Sequence, residues 1–153
     1  MHLKEVHIHV GKHKTGTTSF QTLLKDHAEI LCLHGVSFLP MHLSALMVAV
    51  CIRQGLDIPP VKRLHSERIE FSRDCLIQKL RDFVANHSHQ KLVISNEHFS
   101  YFRTQCEVDR LLSVLKSALG VSREKVAIHV VLRQKDEFLN SYRSPLLSDT
   151  LSA

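Results

Sequence analysis

Three runs of aliphatic and β-branched residues, spaced between segments of helical periodicity, limit the possible folds most. They are Glu5-Val6-His7-Ile8-His9-Val10, Leu92-Val93-Ile94-Ser95, and the stretch 126–132, which is continuously apolar apart from His129. Strands that are apolar along their length, rather than at alternate positions, belong to parallel sheets covered on both faces, and helical segments between them supply the crossovers. The expectation is an α/β fold of three layers, α/β/α, around a mainly parallel sheet. At 153 residues the chain has the length of one domain, so 1–153 reads as a single unit.

Between the strands, Phe20, Leu23, Leu24 and Ile30 recur at helical spacing and predict a helix over 17–33, capped by Thr17 or Thr18 and ended at Gly35. A short extended piece is expected at 36–39. A buried helix is expected over 41–53, closed by Gly55, and a loop over Asp57-Ile58-Pro59-Pro60. Ile69, Leu76, Ile77, Leu80, Phe83 and Val84 predict an amphipathic helix over 66–86, and Leu111, Leu112 and Leu115 another over 106–119, ended by Gly120. The segment 136–142 reads as the start of a further helix.

A formal charge of +5 and a pI near 9.2 favour an anionic partner without choosing among nucleotide, nucleic acid and lipid headgroup. With two Tyr and no Trp, there is little to stack on bases, so no nucleic-acid partner is expected. Cys32, Cys51, Cys75 and Cys106 are far apart and form no Cys-x-x-Cys pair, which fits reduced, buried thiols better than a zinc site or disulfides. The first residues run straight into a strand, so no signal peptide is expected, and the longest apolar stretch, 43–52, is too short to span a bilayer. These features read together as a cytoplasmic protein. His7 and His9 share one strand face and are open to reading as a metal pair; with no Asp, Glu or Cys completing a set nearby, local hydrogen bonding is the preferred reading and no metal is expected.

The chemistry concentrates in Gly11-Lys12-His13-Lys14-Thr15-Gly16-Thr17-Thr18, between the first strand and the first helix. Strand, glycine-bearing loop and helix N-terminus together aim unpaired backbone N–H groups at an anion. Gly11 and Gly16, with four residues between them and followed by Thr17-Thr18, have the frame of a Walker A loop. The frame departs from Walker A at one position: Thr17 stands where its lysine would be, and Lys14 sits inside the loop. The chain therefore carries a P-loop NTPase-like start with a displaced cation.

At these residues the sequence resembles the PAPS-dependent sulfotransferases, in particular a bacterial sulfotransferase-like branch. Their 5′-phosphosulfate loop reads approximately Pro-Lys-[Ser/Thr]-Gly-Thr-[Thr/Ser], and 13–18 matches it except for His13 in place of proline. The resemblance implies that Lys14 meets the sulfuryl group and the bridging oxygen. It also implies that Thr15, Gly16, Thr17, Thr18 and Ser19 belong to the 5′-phosphate cradle. A second family feature is a strand ending in Arg with Ser eight residues on, which grips the 3′-phosphate; here Arg133 follows the strand and Ser141 stands eight residues later. The pairing is chemically sensible, because a guanidinium fork matches phosphate oxygens.

Between the two motifs, Ser95-Asn96-Glu97-His98 follows the middle strand, at the edge of an α/β sheet where ligands gather. Glu97 or His98 is a candidate general base, with Glu97 preferred because a Ser-x-Glu pattern after this strand resembles that family's; an Asn-led helix cap is the alternative reading of the same residues. The resemblance implies transfer of a sulfuryl group from PAPS, the co-substrate, to a hydroxyl or amine of a small-molecule or carbohydrate acceptor, releasing PAP without a metal. Two other functions stay open: a P-loop nucleotide kinase or NTPase, and a non-catalytic nucleotide-binding remnant. The second is raised by length, since the chain reads as lacking the family's usual C-terminal portion, and completion by a homodimer is open as well.

Overall fold

The computed structural model describes residues 3–11, 17–69, 71–87 and 90–131, with the side chains of Thr17 and Thr18 outside that description. Four strands form an all-parallel sheet: β1 (Glu5–Gly11), β2 (Val36–Phe38), β3 (Lys91–Ser95) and β4 (Val126–Val131), in the order β2-β3-β1-β4. The expected α/β architecture, a parallel sheet flanked by helices, is therefore the one observed. Register is set by apolar alternation: Ile8 stands opposite Ile94 on one side and Ile128 on the other, and Val6 opposite Leu92 and Val126.

One face of the sheet carries the core. Val6, Ile8, Leu92 and Ile94 are at most 1% exposed and pack with α3 (Met41–Cys51), α5 (Arg73–Ala85) and α6 (Gln105–Leu119). The other face carries Glu5, His7, His9, Ser95 and His129, over which run α1 (Thr17–Asp26) and α2 (Ala28–Leu33). Handedness explains this division. The β1-to-β2 crossover runs one way along the sheet and the β3-to-β4 crossover the other, so right-handed connections put their helices on opposite faces.

Glu107 anchors the core side. Its carboxylate is fully buried at the third turn position of α6 and accepts from the backbone N–H of Arg53 (3.0 Å), Arg103 (2.6 Å) and Thr104 (2.8 Å), and from the Arg53 guanidinium at 3.0 Å. Thr104 and Glu107 form a capping box, in which each side chain bonds the other residue's backbone N–H. Burial raises the Glu107 pKa, but the N–H groups of Arg103, Arg53 and Thr104 outweigh it and hold the group at about 2.

Several elements depart from expectation. The helix expected over 17–33 breaks at His27 into α1 and α2. Pro59 and Pro60, expected in a loop, open a helix instead, α4 (Pro59–Ser66): proline costs nothing in the first turn, where its missing N–H has no partner to lose. The amphipathic helix expected from 66 begins only at Arg73, where Ser72 accepts from the backbone N–H of Cys75. Of the four cysteines expected to be buried, Cys51 alone is; Cys32 and Cys106 are exposed. Burial pushes the Cys51 thiol up to about 12, against the pull of Arg110 and Arg73. Ile128 and Val130 on one face of β4 and Val131 on the other are exposed.

Among the described residues, no helix is long and apolar enough to cross a membrane. Gly35, Gly55 and Gly120 all have positive φ; at Gly35 and Gly120 the left-handed conformation ends a helix at the position expected.

Candidate functional site

The site is built on the carboxyl edge of the sheet, where β1 and β3 end side by side. Asn96 continues β3 by donating its backbone N–H to the carbonyl of His9 (3.3 Å), so the residues after β3 start beside the end of β1. Asn96 is 2% exposed and opens a 3₁₀ turn, Glu97–Tyr101. Its Oδ1 accepts from the backbone N–H of His98 at 2.9 Å, so the helix-cap reading of these residues holds. The same oxygen lies 3.0 Å from His98 Nδ1. An amide oxygen can only accept, so Nδ1 carries the hydrogen and Nε2 the lone pair.

Asn96 is itself oriented from behind. Its Nδ2 donates to Ser44 Oγ (3.1 Å), and Ser44, fully buried on α3, donates to the Met41 carbonyl at 3.0 Å. A fixed amide therefore sets both the tautomer and the direction of an imidazole, an arrangement that suits proton abstraction. The His98 ring also stacks on Tyr101, with centroids 5.9 Å apart. Glu97 stands in the first turn of the same 3₁₀ segment.

On the far side of the sheet, α1 is tied to this edge. Gln21 donates to the Ser95 hydroxyl at 3.3 Å, and Phe20 lies against the His9 ring, centroids 4.4 Å apart. His9 Nδ1 is 2.8 Å from the same hydroxyl. Burial, then the coulombic effect of the neighbouring His129, lowers the His9 pKa. The helix that follows the glycine-bearing loop is thus held to the end of β3, within one turn of its own first residues.

Of the residues singled out from sequence, Lys14, Thr15, Gly16, Arg133 and Ser141 lie outside the described residues. Thr17 and Thr18 open α1, and Ser19 is exposed on its first turn. Glu97 and His98 lie at the sheet edge. Asn96 is legible in the sequence only as a helix cap, and Ser44 and Gln21 are not singled out there; Gln one turn after Thr17 is too common to stand out alone. His7 and His9 share a face as expected and bond locally, His7 to His129 (Nδ1 to Nε2, 3.0 Å) and to Glu5 (3.4 Å). Among the described residues, no group of three or more ligating side chains is assembled around a metal-sized space.

No protein-family model, curated protein or solved structure matches the chain.

A cavity of about 1020 Å³ opens beside this edge, along β2 and between α1–α2 and α3–α4. Gln21, Asn96 and His98 line one end of it, and Phe38, Met41 and Leu46 are among its apolar walls.

Proposed function

We propose that the chain is a sulfotransferase that moves a sulfuryl group from PAPS to an acceptor hydroxyl, with His98 as general base. The observation that carries this reading is the Nδ1–H···Oδ1 bond from His98 to Asn96 at 3.0 Å, which fixes the direction of the imidazole just after the end of β3. Strand β1 ends at Gly11 on the edge where Asn96 follows β3, and α1, which starts at Thr17, is tied to Ser95, so the residues flanking the glycine-bearing stretch lie at the edge that carries His98. In the reaction the acceptor O–H gives its proton to His98 Nε2, and the acceptor oxygen bonds to sulfur. The sulfur–oxygen bond to the 5′-phosphate breaks with its electron pair staying on phosphate, and PAP leaves. Lys14 and the loop N–H groups neutralise the charge that builds on that phosphate. His98 is preferred to Glu97 because its tautomer and direction are both fixed by a buried amide.

Calorimetry with PAP tests the donor site. The expected result is binding by the wild type that weakens at least tenfold in Lys14→Ala and in Arg133→Ala, each removing a charge-assisted phosphate contact. Unchanged binding in both variants overturns the assignment, and binding of ATP–Mg²⁺ without PAP makes the chain a P-loop nucleotide enzyme instead. With PAP binding established, His98→Gln should lower turnover by 10²-fold or more and leave PAP affinity unchanged, while Glu97→Gln stays within about threefold. The reverse pattern transfers the base to Glu97.

A further inference from the structure

We infer that the cavity along β2 is the acceptor site, and that it takes an elongated amphiphile with an apolar body, a hydroxyl at one end and an anionic group at the other. The role as acceptor site rests on the sulfotransferase reading; the ligand class rests on the cavity itself. At about 1020 Å³ it is at the upper end of small-molecule sites, large for a simple phenol. Its lining reaches from Asn96 and His98, after β3, to His87, before β3. That spans a five-residue strand, or about 16 Å at 3.3 Å per residue.

The walls favour an apolar body over a sugar chain. Phe38, Leu43, Leu46, Leu64 and Ile69 present aliphatic and aromatic surface, with few of the polar groups needed to replace water around sugar hydroxyls. Met41 and Ile69 are 42% and 41% exposed, and both line the cavity, so this apolar surface faces solvent until something covers it. The charges favour an anion: Arg63 is paired with Glu67 at 2.7 Å, which leaves Lys25 and Lys79 as the lining's excess positive charge. Lys79 lies midway along α5, eight residues before His87. An amphiphile lying along β2 would set its anionic group at Lys79 and its hydroxyl at the His98 imidazole. There the proton passes to the imidazole, and the oxygen takes the sulfuryl group from PAPS with release of PAP.

The test uses 12-hydroxydodecanoate, below its micellar concentration, and the neutral sugar chitohexaose, each titrated by calorimetry without PAPS. The wild type should bind 12-hydroxydodecanoate saturably and not bind the sugar. Met41→Glu and Ile69→Glu, both at exposed positions that tolerate charge without loss of the fold, should each weaken binding at least tenfold; Lys79→Ala should weaken it about threefold. Unchanged binding in both glutamate variants, or binding of chitohexaose alone, overturns the proposal. PAP titration separates the two readings. Amphiphile binding without PAP binding keeps the ligand class and removes the sulfuryl chemistry, whereas PAP binding without amphiphile binding does the opposite. When both bind, [³⁵S]PAPS should transfer label to the ω-hydroxyl, and failure of transfer removes the acceptor role.

Discussion

The two faces of the one sheet are built on opposite principles. On the α3–α5–α6 side, Ile94, Leu76, Leu80 and Leu115 are wholly buried, and the buried carboxylate of Glu107 is satisfied by backbone N–H groups and a guanidinium. On the α1–α2 side the strands offer Glu5, His7, His9 and Ser95, and of the described side chains in the covering helices Leu24 alone is buried, while Leu23, Ile30 and Leu33 face outward. Both faces use the same strands in the same register, so the difference comes from which alternate residues are polar. The dry side supplies stability. The wet side holds the helix that follows the candidate phosphate loop, where tight apolar packing would leave no room for an anion and its donors.

The largest expected effect tests whether stability is as one-sided as burial suggests. Ile94→Ala should cost about 3 to 4 kcal/mol in chemical denaturation, from lost transfer energy and a cavity that cannot collapse. Leu23→Ala, at a position 54% exposed on α1, should stay within about 0.5 kcal/mol. Similar losses at the two sites would break the comparison.

Acid should act next, and on the dry side. The folded Glu107 pKa of about 2 lies below the ordinary 4.5, so the unfolded chain binds more protons between those values. Stability from this group is complete above pH 4.5 and is lost as pH falls toward 2, by about 2 to 3 kcal/mol. Glu107→Gln should flatten that part of the pH–stability curve, measured by urea midpoints. A slope identical to wild type would assign the acid response to other carboxylates.

The smallest effect concerns the helix start that holds Glu107. Thr104→Ala should cost about 1 kcal/mol, as for other N-cap losses, with Thr104→Ser restoring most of it. A loss several times larger would mean that the cap also positions the buried carboxylate.

The strands were legible because apolar runs of this kind have few other uses; β1, β3 and β4 lie within a residue or two of where the periodicity put them. Helix ends were harder to read. The periodicity of Phe20, Leu23 and Ile30 carries no mark of the break at His27, and Pro59-Pro60 signals both a loop and a first helical turn, so α4 was hidden by an ambiguity in proline itself. Exposure of β4 depends on what lies beside it, which its own residues do not encode. At the site, Glu97 and His98 were legible as chemistry after a strand. The Ser44–Asn96 bond joins residues 52 positions apart, and only tertiary structure brings them together.

That bond has a consequence for α3. Seven of the helix's eleven residues are buried, and its apolar residues continue around the whole circumference, so hydrophobicity alone gives it no preferred face. A slip of one residue would turn it by about 100° with little change in the apolar surface it buries. It would also carry the Ser44 hydroxyl away from Asn96 and strand a buried amide. One hydroxyl thus indexes the helix like a key in a slot, fixing which side of α3 becomes cavity wall and keeping that wall in step with the imidazole.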